Sequence, residues 1–278
     1  MYVSSKNMLE CARADNYAVC AFNAENLEMI QAIVWGAEEM NAPVIIQTTP
    51  STVKYADCAY FAAIVRTAAE NSRMPVALHL DHGNSFALVC RAVKSGYMSV
   101  MIDGSHEEFE ANIALTQKAA ELAHAVDIPV EAELGKVGGK EDDLEAECAY
   151  TDPLEAREFV ERTGCDSLAI GIGTAHGIYK SAPELKLNVL TDIKKLVNVP
   201  LVLHGATGLS DNIIKECVNL GINKINFATE LRLTYTNAVR EKLNPDIIDV
   251  KIYSGHARNR VRELVKEKIK LSGSAGRI

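Results

Sequence analysis

A chain of 278 residues, 48% hydrophobic and 24% charged, has ample material for a packed core and is long enough for one large domain or two ordinary ones. Its formal net charge of −8 argues against a nucleic-acid surface, because phosphate backbones need a basic footprint; a small phosphorylated ligand needs only local N–H groups and a few cations. The seven cysteines are odd in number and lack CxxC spacing, which reads as reduced thiols rather than a disulfide framework. Lys6, Glu10, Arg13 and Asp15 precede any long apolar stretch. No signal peptide or membrane span fits, so a cytoplasmic protein is expected.

Short apolar runs at residues 18–22, 43–48, 75–80, 99–102, 129–134, 167–172, 200–203 and 224–227 predict strands. Most are rich in Val, Ile and Leu without clean alternation, as strands buried on both faces should be. Between them, residues 26–39, 60–71, 107–125, 153–163 and 211–220 carry helical patterns, the last behind Ser210 as N-cap. Residues 250–270 read as one extra basic helix. Eight β-then-α units without a Pro-, Gly- or Ser-rich linker predict a single (β/α)8 TIM barrel domain over residues 1–278, with that helix added at the C-terminus. An open doubly wound sheet would more naturally show a Gly-rich first turn, and none is present.

In a barrel the chemistry sits at the carboxyl ends of the strands. Those ends read Asn23, Thr48-Thr49, Asp81-His82, Asp103, Glu133, His176, His204-Gly205 and Asn226, while the opposite ends offer mostly Pro, Lys and ordinary loop residues. Three His-Gly pairs (His82-Gly83, His176-Gly177 and His204-Gly205) each close a strand-like run. Three neutral imidazoles with a fourth position open are a common arrangement for catalytic zinc. They leave the ion its charge, where thiolates would quench much of it. The glycines are expected to let backbone approach whatever sits beside the metal. His79 alternates with Asp81 and reads as a packed, hydrogen-bonded histidine; His106, His124 and His256 carry no partner signal.

The strings AFNAENLE, HLDHG, SVMIDGSH, VEAELGKVGGKEDD, AIGIGTAHGIY, LVLHGATGLS and KINFATEL resemble the class II, metal-dependent ketose-bisphosphate aldolases from the first strand to the last. The resemblance implies zinc held by His82, His176 and His204, with Asp103 and Glu133 at acidic positions where the metal takes an alternate, buried location. It implies Asp81 as catalytic aspartate and Glu141 as a loop carboxylate that reaches in after substrate binds. Asn23, Thr49, Gly177, Gly205, Ala206, Thr207, Asn226, Phe227, Ala228 and Thr229 match substrate contacts, those from Gly177 onward at the dihydroxyacetone phosphate portion. Arg258 resembles an arginine that meets the distal phosphate. A monovalent cation (Na+ or K+) and a homodimer or homotetramer belong to the same expectation. DHGNSF resembles the fructose-bisphosphate branch, whereas Ala228 in NFATEL and the string QTTPST resemble the tagatose-bisphosphate branch. D-tagatose 1,6-bisphosphate is favoured, with D-fructose 1,6-bisphosphate the alternative. Two other chemistries stay open: a metal-dependent hydrolase, disfavoured because AVCAFN lacks a histidine pair, and a Schiff-base aldolase built on Lys224. A metal-free binding protein that kept the fold is the remaining rival.

Overall fold

The computed structural model describes residues 1–141, 144–146, 148–177, 179 and 183–278, with the side chains of residues 140, 141 and 144–146 left out. Eight strands form the barrel: β1 (Val19–Asn23), β2 (Val44–Thr48), β3 (Val76–Gly83), β4 (Ser99–Ile102), β5 (Val130–Leu134), β8 (Ser167–Ile170), β10 (Leu201–Leu203) and β11 (Ile222–Phe227). They close in the order β1-β11-β10-β8-β5-β4-β3-β2, and the pairings are parallel. Every predicted strand is therefore present. Parallel strands need crossovers, and these are supplied by α2 (Leu27–Met40), α4 (Cys58–Glu70), α5 (Phe86–Ser95), α6 (Phe109–His124), α7 (Pro153–Thr163), α8 (Leu187–Leu196) and α9 (Asp211–Leu220). Asn26, Ser85, Asp152 and Ser210 cap helix N-termini through their side chains. The predicted extra helix is α11 (Val250–Leu271), packed on α2 and on α10 (Thr229–Lys242).

Two features were not anticipated. An N-terminal helix α1 (Ser5–Ala14) plugs the amino-terminal mouth: Met8, Leu9 and Ala12 pack on the inward-facing Val19, Ala21, Ile45 and Ala77. Beyond the other end, β6 (Gly138–Glu141) pairs antiparallel with β7 (Leu144–Ala146) and parallel with β9 (Ala175–His176). Because side chains alternate along a strand, the barrel interior is layered. Above the apolar plug lie His79, Glu131 and Lys224; two residues further along the same strands come Asp81, Glu133 and Asn226, all buried. The larger apolar core fills the space between barrel and helices.

Candidate metal centre and active site

Consecutive residues of a regular strand point to opposite faces, yet Asp81 and His82 both line the cleft at the barrel end. A bulge in β3 makes this possible. The pairing with β4 shifts register between Leu80 and Gly83, and His82 takes a left-handed φ of 47°, a conformation that turns the chain and re-aims its side chains. The glycines in two of the His-Gly pairs serve neighbouring backbone rather than the metal. A Cβ on Gly83 would run into the Met101 carbonyl, and one on Gly205 (φ 67°) would lie 2.6 Å from the Ala175 oxygen. His204 follows β10 directly. His176 does not close a barrel strand: β8 stops at Ile170, and His176 is carried on β9, held by pairing with Gly139.

The three imidazoles nonetheless converge. A ring nitrogen of each lies within 4.8 Å of the others', and the ring centroids of His82 are 5.0 Å from His176 and 4.6 Å from His204. His82 Nε2 faces His204 Nδ1 at 2.9 Å. The far nitrogens are engaged by carboxylates: Asp103 Oδ2 lies 2.8 Å from His82 Nδ1, and Glu131 Oε1 lies 3.0 Å from His204 Nε2. Carboxylates accept, so the far nitrogens donate and the near ones present lone pairs to each other. Two lone pairs at that separation suit a shared cation. Burial, then the neighbouring His82, drives the pKa of both His176 and His204 well below the ordinary imidazole value, which keeps these rings in the neutral, ligating form.

Asp103 and Glu133 make a second cluster with His82, again with ligand atoms within 4.8 Å. Burial, then the nearby Asp103, raises the Glu133 carboxyl to about 8. Among the described residues its Oε2 is buried without a hydrogen bond, 3.6 Å from His204 Nδ1. Asp103 is held by its hydrogen bond to His82.

Asp81 is gripped by three amides. Asn23 Nδ2 and Gln47 Nε2 donate to Oδ2 at 2.9 and 3.0 Å, and Asn226 Nδ2 donates to Oδ1 at 3.1 Å. Burial works against ionisation of Asp81, but His82, His204, Lys224 and the Asn23 bond outweigh it and hold the carboxyl below its ordinary range. Asn23 and Asn226, expected at the substrate, thus have a structural task as well. Both still line a narrow cleft with Gly177, Gly205, Ala206, Thr207, Ala228 and Thr229, next to Asp81, His82 and His176.

Three expected positions fall elsewhere. Phe227 stacks on Phe22 in the core (centroids 5.7 Å apart), with its side chain turned away from the cleft. Thr49 is buried at the start of α3 (Pro50–Ala56), bonded to Ser51 and Thr52. Arg258 lies on α11, donates to Gln31 at 2.7 Å and covers the Trp35 ring; packing of α11 on α2 keeps it out of both cavities beside the imidazoles. Glu141 ends β6, and its side chain lies outside the described residues. His79 is packed and bonded to Ser99 as expected, whereas His124 and His256 have the partners Asp166 and Glu241.

The sequence reading also missed a buried pair under the centre. Lys224 Nζ lies 2.7 Å from Glu131 Oε2, and the other oxygen of Glu131 is the one that engages His204. Glu131 precedes Glu133 by two residues, so strand alternation was the available signal. Tyr179 was missed too: its hydroxyl accepts from Ala175 N and donates to the Gly205 carbonyl, tying β9 to the end of β10.

A closed parallel barrel with this imidazole cluster at its carboxyl end defines a (β/α)8 enzyme with a site suited to a divalent metal. Residues 3–277 match the family described as fructose-bisphosphate aldolase class-II, and the chain belongs to that family. It is therefore a lyase of an aldolase family that is generally zinc-dependent and acts on phosphorylated sugars. Among solved structures, it is similar to the YdjI aldolase from Escherichia coli K12 (40% identity, 100% of this chain and 99% of that one, TM-score 0.91). It is also similar to a provisionally assigned fructose-1,6-bisphosphate aldolase from Coccidioides immitis (31%, 98% and 96%, 0.91). A fructose-bisphosphate aldolase from Campylobacter jejuni shares the fold (22%, 100% and 97%, 0.84).

Proposed function

We propose that the protein reversibly cleaves a ketose 1,6-bisphosphate, D-tagatose 1,6-bisphosphate in preference to D-fructose 1,6-bisphosphate, into dihydroxyacetone phosphate and glyceraldehyde 3-phosphate. The observation that carries this reading is the convergence of His82, His176 and His204 beside an ionised, amide-gripped Asp81. Zinc on these imidazoles would supply Lewis-acid polarisation of the ketose carbonyl and positive charge where electrons collect as the C3–C4 bond breaks. Asp103 orients the His82 ring and Glu131 the His204 ring, and these hydrogen bonds fix which nitrogen of each would face the metal.

Asp81 accepts the C4 hydroxyl proton as the new aldehyde forms. Its three amide partners hold it in one place, so little reorganisation accompanies that transfer. Glu141 returns a proton to C3 of the dihydroxyacetone half. Backbone N–H groups and hydroxyls of residues 205–207 and 229 receive the C1 phosphate, at the strand ends where barrels commonly bind phosphate. This cleft measures only about 20 Å³, room for roughly one water, so phosphate binding there requires the cleft to widen.

The same reading takes the chain as one domain acting in the cytoplasm as a homodimer or homotetramer. The exposed Ile248, Val250 and Ile252 near the start of α11 offer apolar surface for assembly. Among the described residues, no helix is long and apolar enough to cross a membrane. The deciding experiment assays tagatose and fructose bisphosphates side by side with zinc supplied and then with chelator. Faster cleavage of the tagatose sugar, lost on chelation, supports the proposal. Cleavage of neither sugar, or cleavage indifferent to chelator, contradicts it.

A further inference from the structure

The imidazole cluster stands between two very unequal spaces. On the β10–β11 side is the narrow cleft assigned above to the C1 phosphate. On the β2–β4 side opens a cavity of about 900 Å³, reaching His82, His176, Asp103 and Glu133. A ketose whose carbonyl sits at the imidazoles and whose C1 phosphate enters the cleft must extend its C4 end into that cavity. Glyceraldehyde 3-phosphate has ten heavy atoms. At a water's share of about 30 Å³ each it fills on the order of 300 Å³, roughly a third of the space.

Two helices wall the cavity, each with a cation on the facing side. From α3 come Val53 and Lys54, and from α5 come Leu88 and Arg91, one turn apart on its helix. Neither Lys54 nor Arg91 makes a hydrogen bond or an ion pair among the described residues. Arg162, Arg232 and Arg262, by contrast, are tied to carboxylates. Arg258, the arginine expected at the distal phosphate, is occupied by Gln31 and Trp35 outside the cavity. The cavity thus has its own cations, a recognised route to phosphate or carboxylate binding.

We infer that Arg91 and Lys54 form the subsite for an anionic group, phosphate or carboxylate, at the far end of the aldehyde half, and that the site accepts aldehydes longer than three carbons. This rests on the aldolase reading above and specifies its substrate class.

The test runs the reaction in the condensing direction, with zinc-loaded enzyme, dihydroxyacetone phosphate and matched acceptors. Glyceraldehyde 3-phosphate is compared with glyceraldehyde, and glucuronate with glucose. The inference expects the anionic member of at least one pair to react with the higher kcat/KM. That ratio should fall ten- to hundredfold in Arg91→Ala/Lys54→Ala, the scale of losing one or two hydrogen bonds to a charged group. Both residues are exposed on helices, so the variant should fold; Arg91→Glu, with a thermal melt matching the parent, is the second check. A response in the first pair alone assigns phosphate, and in the second alone carboxylate. No anionic preference in either pair, a ratio that survives both variants, or inertness of both six-carbon acceptors overturns the inference while leaving the aldolase intact. No condensation with any acceptor removes the aldolase reading and this inference with it.

Discussion

Replacing Lys224 by methionine separates two roles for the buried amine. Its Nζ is 2.7 Å from Glu131 Oε2, and neither side chain is appreciably exposed. At an effective dielectric of about 20, two unit charges at that distance attract by about 6 kcal/mol. Desolvation has offset much of this, so the measurable loss is that of breaking a buried pair, about 3–5 kcal/mol. For a chain of this size that corresponds to a fall in Tm of roughly 6–20 °C. Glu131→Gln in the same chain removes the stranded charge, and the double variant should recover at least half of the loss. Thermal melts of the parent, Lys224→Met, Glu131→Gln and the double variant measure the coupling. A single variant melting within about 2 °C of the parent, or a double variant no better than the single, would refute the charge-balancing role. The same protein answers the Schiff-base rival. An amine committed to Glu131 forms no imine, so borohydride with dihydroxyacetone phosphate should leave the parent active; inactivation with label on Lys224 would restore that mechanism.

Asp81→Ala should retain zinc, since His82 and His204 are fixed by Asp103 and Glu131 and His176 by the pairing of β9 with β6, but lose about 10²–10⁴-fold in cleavage rate as a general base is removed; equal rates would take Asp81 out of the chemistry. Glu141→Ala should slow solvent exchange of the dihydroxyacetone phosphate C3 proton more than it weakens binding, and unchanged exchange in deuterated water would contradict its assignment. In Gly205→Ala the new Cβ presses on the Ala175 oxygen at 2.6 Å. The shift passes to His176, and zinc affinity by chelator competition should fall about 10–100-fold, as for other lost support around a metal; unchanged affinity would show β9 to be more yielding than its contacts imply.

The barrel was legible because each strand is buried on both faces, and such strands are largely apolar runs without alternation, as in the VII of β2 and the VAL of β3. The imidazole cluster was legible because strand ends share one face of a barrel. What escaped notice depends on contacts no local pattern encodes. β6, β7 and β9 are only two to four residues long, and their pairing, not a run of apolar residues, carries His176 to the centre. Helix α1 is weakly hydrophobic and earns its place by plugging the mouth beneath Val19 and Ile45. Lys224 stood out only as a possible imine-forming lysine and Glu131 not at all; only the barrel's closure sets them together under His204. The distal-phosphate assignment of Arg258 depended on where a helix remote in sequence would dock, and it docks on α2 instead of at the cavity.

The most direct test of the three-imidazole centre is zinc analysis with X-ray absorption on the purified protein and on His82→Ala, His176→Ala and His204→Ala. One zinc per chain, ringed by nitrogen ligands at about 2.0–2.1 Å and lost or greatly weakened in each variant, is the predicted result. Sulfur ligation, or stoichiometric zinc surviving all three substitutions, would contradict it.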